Sequence, residues 1–576
     1  MLPLFDSPTP QTLAEKVCNA LRDGAIVVAA NARAARFLRL IYAEQQRANG
    51  LEMWATPQIH DWETWAANLW RELSFMQREL PLLLTSLQEH SLWKQVQQGD
   101  ARLVVSPDGM ASLAEEAYAL LSAYRAHDAR RSPWAEQDAE RFRQWAADFE
   151  RLCRSHNWTS RSHLEDELAT AVKAGALPLE KNILLVGFYR LTPQQQRFIA
   201  VLREAGAVVE TFEPELSESC AGPIVVADDL RDELTTCAQW CRNLLEKKGA
   251  RRIGVIVPDV RSVRAEADRI FRAVLMPESL DIAKDPRPTA YEFSLGMPLS
   301  EVPVVRAALL MLRWTTTPLK EEEVTWLMLS GFFCKYAAEV RKLAWADFEL
   351  RGSGTLSPEI SLENFAKKIK PCAFRTRVLH VQRVLEKHRG ARPSAAYAHW
   401  CEITERLLRT SRWPGHRQPD RVQYQAQTRW QRLLDEITLL DFSGRSVPFK
   451  EFVNGLEQRA TETIFTPESH HAPVQIMGAF ESSGQTFDAV WFLGADDSQW
   501  PAAGRPHPLL PQALQREAGM PHSSAVIDTG LAHTVTQRIA NSAPEFVFSY
   551  ARQNKEGEQR PSPLLARIFG TNYKTL

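Results

Sequence analysis

Residues 473–501, PVQIMGAFESSGQTFDAVWFLGADDSQWP, decide how the rest of the chain is read. Val474–Met477 and Ala489–Leu493 are short apolar runs bounded by turn residues, the pattern of strands buried on both faces. Between them, Glu481-Ser482-Ser483-Gly484-Gln485 forms a polar turn whose composition suits a loop that handles a nucleotide or a strand. The second strand runs into an acidic loop closed by Pro501.

Runs of the same kind recur on the N-terminal side. AIVVAA at 25–30 reads as a buried strand followed by a helix from Ala32 to Gln46. Thr56-Pro57 reads as a strand end or turn, with Asp61 or Thr64 starting the next helix. NILLVGF at 182–188 is a strand, and Thr192-Pro193 opens a helix after it. Strands at 207–212, 223–228 and 253–258 alternate with helices at 232–247 and 260–275, and a last strand covers 545–550. Strand, helix and strand in this order indicate a largely parallel sheet with helices on both faces. Two mainly helical stretches interrupt it, 82–175, with Pro107 and Pro133 as breaks, and 318–460. The second follows a turn-rich segment at 281–288 and an apolar helix in FSLGMPLSEVPVVRAALLML.

The 576 residues exceed one core, so three or four domains are expected. No apolar run reaches the length of a membrane span, and the N-terminus lacks the basic and apolar regions of a signal peptide. The eight cysteines include no CxxC pair; Cys237 and Cys241 stand one helical turn apart without further ligands at metal spacing and read as buried thiols. A reduced, cytoplasmic protein with no bound metal is expected. The connection Ala29-Ala30-Asn31-Ala32-Arg33 has no glycine to bring amides to a phosphate and no Lys-Ser/Thr to hold phosphate and magnesium. Asn31 can cap the helix and Arg33 can touch an anion, but no nucleotide cofactor is expected there.

A net charge of −1 conceals an asymmetry. Between Lys367 and Arg432, sixteen Lys and Arg, beginning with Lys367, Lys368, Lys370, Arg375 and Arg377, face four acids, Glu386, Glu402, Glu405 and Asp420. Such an excess is the footprint of a polyanion-binding segment; the alternative is a solvated helical surface. Phe374, Tyr397, Trp400, Trp413, Tyr424 and Trp430 lie among these charges and could stack bases, though helical spacing gives most of them to a core.

This layout resembles the UvrD/RecB-type superfamily 1 helicases, and more closely the AddB-like group of inactivated members. The pieces that carry the resemblance are ILLVGFYRLTPQQ (183–195), IGVIVPD (253–259), FSLGMPLSEVP (293–303), residues 474–501, HPLLP (507–511) and FVFSYARQNKEGEQRPSPLL (546–565). It implies two RecA-like (P-loop NTPase-type) three-layer α/β/α domains, each with a large helical insertion. Residues 1–70 and 176–290 would form the first domain and 71–175 its insertion; 291–315 and 465–576 would form the second and 316–464 its basic insertion.

Departures from the family pattern are as informative as the matches. An active relative has a glycine-rich loop ending in Lys-Thr, where this chain has Ala29–Arg33. Its Asp-Glu, for magnesium and the attacking water, would follow the strand at Leu184-Leu185-Val186, where Gly187 and Phe188 stand; Thr192, Gln194 and Gln195 keep the motif's later part. A motif reading roughly His-x-x-Lys-Gly-Leu-Glu-Phe-Asp aligns with Phe480 to Asp488. Phe480, Ser483 and Thr486 replace its functional groups, while Gly484, Phe487 and Asp488 are kept. The last motif's arginine falls near Asn541, or at Arg538 after a slip. A RecB-like nuclease domain would need a Glu, an Asp and Glu-x-Lys on one sheet, and none follows Pro561; Asp228-Asp229 and Asp496-Asp497 read as loop or capping residues.

The resemblance therefore implies a catalytically silent, helicase-like DNA-binding subunit for double-strand-break processing and recombinational repair. Its partners would be single-stranded or forked DNA and an active helicase-nuclease subunit of the AddA or RecB kind, without a membrane. The DNA contacts it implies are Thr56 and Trp62, placed after the first domain's second strand, Arg190 and Gln194, Ser482 and Ser483, and the basic residues Lys367, Lys368, Lys370, Arg375 and Arg377. The alternatives are an unorthodox ATP-dependent translocase and a protein-interaction scaffold that binds no DNA.

Overall fold

Buried β-branched runs build two parallel sheets in the computed structural model, which describes residues 12–77, 79–98, 107–126, 137–213, 223–280, 290–294, 296–352, 358–391, 393–415, 418–467, 472–554 and 557–569. The chain divides into two units, Met1–Ser294 with His470–Leu576, and Leu295–Ser469. Both large sheets belong to the first unit.

The first sheet holds β1 (Ile26–Ala29), β2 (Ile59–Asp61), β3 (Asn182–Val186) and β4 (Val208–Phe212) in the order β2-β1-β3-β4, all parallel. Val27 faces both Ile59 and Leu184 across the ladder. Successive side chains point to opposite faces, and helices cover both. Ile26, Val28, Ile183 and Leu185 pack with Trp62, Trp65 and Phe198; Val27, Ala29, Leu184 and Val186 pack with Phe37 and Leu38. Asn31 caps the helix Ala32–Ala48, Asp61 caps Trp62–Met76, and Thr192 with Gln195 forms a capping box on Pro193–Glu204.

The second sheet holds β5 (Ile224–Ala227), β6 (Ile253–Val257), β7 (Tyr291–Phe293), β8 (Val474–Gly478), β9 (Ala489–Phe492) and β10 (Glu545–Ala551), in the order β5-β10-β9-β6-β8-β7. Val255 faces Ile476 on one side and Trp491 on the other. The expectation that 176–290 completes the first domain is corrected here. β5 and β6 leave the first sheet, and β6 lies at the centre of the second. Two contacts hold it there. A Cβ on Gly254 would come within 3.2 Å of the Phe487 ring, so the glycine makes room for that ring. The Asp488 carboxylate accepts the N–H groups of Arg251 and Arg252 at 2.8 and 2.9 Å. An apolar run signals burial but does not say in which of two sheets.

Residues 82–175 form the helices Ser86–Gln97, Pro107–Ala123, Gln137–Ser155 and Leu164–Lys173, with a two-residue parallel pair joining Leu82–Leu83 to Trp158–Thr159. Pro107 opens a helix instead of breaking one, because the first turn needs no N–H from it; Pro133 lies outside the described residues, as does the 281–288 segment.

The second unit is helical from Pro303–Trp314 to Phe449–Glu462, with short antiparallel strand pairs between helices. Its tryptophans serve as internal ties: Trp314, Trp400 and Trp413 donate from their indole nitrogens to the carbonyls of Ile360, Val447 and Val304 at 2.9, 2.7 and 2.7 Å. Phe374, Trp400 and Trp430 are buried in this unit, and of the aromatics interleaved with the basic residues Tyr424 is the exposed one. Among the described residues no helix is long and apolar enough to cross a membrane.

Candidate functional site

The C-terminal ends of β1 and β3 meet the turn between β8 and β9, and this meeting is the candidate site. After β1, two backbone donors are taken up within the fold. Ala30 donates to the Val186 carbonyl at 3.0 Å, and the Asn31 carboxamide takes the Ala34 N–H at 2.8 Å. Arg33, the second residue of the helix, faces two carboxylates, Glu481 at 3.9 Å and Glu292 at 4.0 Å. Burial lowers the Arg33 pKa and raises that of Glu292, and each charge partly offsets the other's shift. Arg33 is thus already matched by protein acids.

At the end of β3, Gly187 takes φ +85° and Gly484 in the facing turn takes φ +69°. A Cβ on Gly187 would lie 3.2 Å from the Gly484 backbone, and one on Gly484 would lie 3.2 Å from the Gly187 Cα. Two glycines let the backbones touch. The Ser483 hydroxyl donates to the Gly187 carbonyl, and Arg538 donates to the Phe188 carbonyl at 2.7 Å while lying 5.1 Å from the centre of the Tyr189 ring. Burial raises the Tyr189 phenol, and hydrogen bonds with Ser482 and Ser483 oppose that rise. Phe480 packs edge-on against Tyr189 with centroids 6.3 Å apart. The cavity left among Gly187, Tyr189, Ser482, Gly484, Thr486 and Arg538 measures about 60 Å³. Ligand pockets run to roughly 300–1,000 Å³, so this space takes a water molecule or two and no nucleotide.

Three residues of the 473–501 stretch hold the frame. Phe487 and Asp488 fix β6 as described, and Trp500 donates to Thr536 at 2.8 Å from a position 3% exposed. Asp229 caps the helix Leu230–Asn243, and Asp496 accepts the N–H groups of Ser498 and Gln499 at 2.9 Å, so both acidic pairs include a capping residue. Cys237 and Cys241 are fully buried, and burial raises the Cys237 thiol. Among the described residues no group of three His, Cys, Asp or Glu could hold a metal.

The expected DNA contacts divide into two sets. Trp62 is 4% exposed, bonded to Glu165 at 2.9 Å and packed edge-on against Trp65, Phe188 and Phe198, so no base can reach its ring. Gln194 is buried on the Ser162 carbonyl and the Asp166 carboxylate, both at 2.9 Å. Ser482 is buried and donates to the Ala479 carbonyl at 2.7 Å; Ser483 is buried on Gly187. Arg375 donates to the Ala366 carbonyl at 2.6 Å, and Arg377 ties the Phe333 carbonyl and Glu339, the latter at 2.9 Å. These six serve the fold. Burial and nearby partners, invisible in a linear motif, took them.

The other set faces water. Thr56 is exposed in the segment before β2, not after it as expected. Arg190 is exposed, with one bond to the Gly519 carbonyl at 3.1 Å. Lys367, Lys368 and Lys370 are exposed, Lys367 paired with Glu363 at 2.6 Å and Lys370 with Glu349 at 2.7 Å. Arg383, Lys387, Arg406, Arg409 and Arg432 are also exposed on the helices that follow; Arg392 and Arg417 lie outside the described residues. No family model matches this chain, and no curated protein matches it either.

Proposed function

We propose that this chain is a catalytically silent, helicase-like DNA-binding protein that acts in double-strand-break end processing and recombinational repair beside an active helicase-nuclease partner of the AddA or RecB kind. On this reading the two parallel sheets are RecA-like domains, and the stretches 82–175 and 318–460 are their helical insertions. The observation that carries it is the contact of Gly187 with Gly484. Backbone meets backbone at the end of β3, after which a superfamily 1 motor would carry its carboxylates, and the cavity beside this contact, about 60 Å³, is several-fold too small for a nucleotide. The carboxylates, lysine and glycine-rich loop of phosphoryl transfer are absent from the same places. The exposed Lys and Arg of the 367–432 segment supply the charge for phosphate contacts.

Fluorescence anisotropy with single-stranded and forked DNA, at low and moderate salt, tests the binding half. Binding should weaken steeply with salt, because phosphate contacts release counterions. Absence of binding at every salt concentration would leave the scaffold reading in its place. Magnesium-dependent ATP hydrolysis is measured in parallel. DNA-stimulated turnover abolished by Arg33→Ala or Arg190→Ala would replace the silent reading with a working translocase.

A further inference from the structure

The helix Ala337–Gly352 buries one side through Leu343, Asp347 and Leu350. Arg341, Trp345 and Phe348 recur on its outer side at spacings of four and three residues, so they form one exposed stripe. Trp345 is 64% exposed and Phe348 67%, whereas Trp314, Trp400 and Trp430 of the same unit are at most 2% exposed. The two ring centroids stand 5.7 Å apart with planes inclined at 38°. That separation is of the order of the spacing between successive bases in an extended strand.

Charge around the rings selects the occupant. All three acids of this helix are already neutralised: Glu339 by Arg377 at 2.9 Å, Asp347 by Arg351 at 3.1 Å, and Glu349 by Lys370 at 2.7 Å. Arg341 and Lys342 are exposed and make no ion pair among the described residues. The patch therefore presents two large rings flanked by uncompensated positive charge. That combination fits a flexible polyanion that carries aromatic faces, and it disfavours a purely apolar partner.

We propose that Trp345 and Phe348 are a stacking platform for unpaired bases of single-stranded DNA, with Arg341 and Lys342 on the adjoining phosphates. The proposal rests on the DNA-binding reading above and gives it a place. The test uses the whole chain and three fluorescent probes: oligodeoxythymidine, the same backbone with abasic sites, and a blunt duplex. Trp345→Ala/Phe348→Ala should weaken oligodeoxythymidine binding about tenfold or more and leave the abasic and duplex probes unchanged. Trp345→Phe/Phe348→Tyr, which keeps both faces, should bind as the parent does. Arg341→Ala/Lys342→Ala should weaken all three probes and flatten the salt dependence.

Both rings are exposed, so the double alanine variant should fold, and circular dichroism checks this. If the parent binds oligodeoxythymidine and the folded double alanine variant binds it equally well, the platform is overturned while the DNA-binding reading stands. If the parent binds no DNA, both fall together. If the double variant converts a dimer to a monomer in light scattering without changing DNA affinity, the patch belongs to a second copy of the chain and the proposal is overturned.

Discussion

Gly187 and Gly484, 297 positions apart in sequence, meet backbone to backbone, and each has a positive φ that side-chain-bearing residues rarely adopt. The pair closes the space between the ends of β1 and β3 and the facing turn. A side chain at 187 strains this closed arrangement, since its Cβ would press on the Gly484 backbone at 3.2 Å and the residue would have to hold a φ of +85°.

Gly187→Ala should therefore destabilise the first unit by about 2–5 kcal/mol, the sum of backbone strain and overpacking. Gly187→Asp should cost at least as much and confer no ATP hydrolysis. Urea midpoints and a phosphate-release assay read the two effects. An unchanged midpoint for the alanine variant would show that the two backbones separate readily.

Trp62→Ala should cost about 3–5 kcal/mol, the range for a buried large aromatic, because the ring packs against three other aromatics. DNA affinity of the folded fraction should not change. A variant of parental stability with lost single-strand binding would return Trp62 to the DNA interface.

Arg377 and the lysines 367, 368 and 370 should separate in the same manner. Arg377→Ala breaks a bond to the Phe333 carbonyl and removes the guanidinium paired with Glu339. That should cost about 1–3 kcal/mol and leave the salt slope of DNA binding intact. The triple lysine-to-alanine variant should keep its urea midpoint and lower the salt slope by about 0.7 for each single-strand phosphate that it no longer neutralises. Equal slopes for the triple variant and the parent would remove those lysines from the interface.

Glu233 should make stability depend on pH. It is 1% exposed, and burial pushes its carboxyl up to about 7, against hydrogen bonds from the Gly494 N–H at 2.9 Å and the Ser549 hydroxyl at 2.5 Å. Between the unfolded value of 4.5 and the folded value of about 7, the native state binds more protons than the unfolded one. Stability is thus full below 4.5, falls as pH rises through this window by up to about 3 kcal/mol, and levels off above it. Glu233→Gln keeps the acceptor and removes the titration, so its urea midpoint should fall less than the parent's between pH 5 and pH 8. Parallel pH profiles for the two proteins would assign the effect to another group.

Strand positions are legible from residue pattern alone. The runs at 26–29, 183–186 and 253–257 are continuous and apolar because helices cover both faces of each strand, and 474–477 is broken only by the half-buried Gln475. The caps are equally plain, with Asn31, Asp61 and Thr192 each at a helix start. The lack of glycine and lysine between residues 29 and 33 can also be read directly, since a phosphate loop needs them at fixed local spacing. The candidate DNA contacts are less legible. Trp62, Gln194 and Arg377 carry the right chemistry, but a linear motif does not tell a partner in water from a partner in the core. Trp345 and Phe348 do carry a signal in their register, which lies opposite Leu343 and Leu350 on one helix.

What the sequence by itself determined was therefore local: which runs are buried, where helices begin, and that residues 29–33 contain no glycine or lysine. Tertiary structure alone decided that β5 and β6 join the second sheet, that Gly187 finds Gly484, and which cations face water. The physical reason is range. Burial periodicity and capping act over a few residues, whereas sheet membership, a glycine-to-glycine contact and the pairing of a charge depend on groups hundreds of positions away, and only the folded chain brings those together.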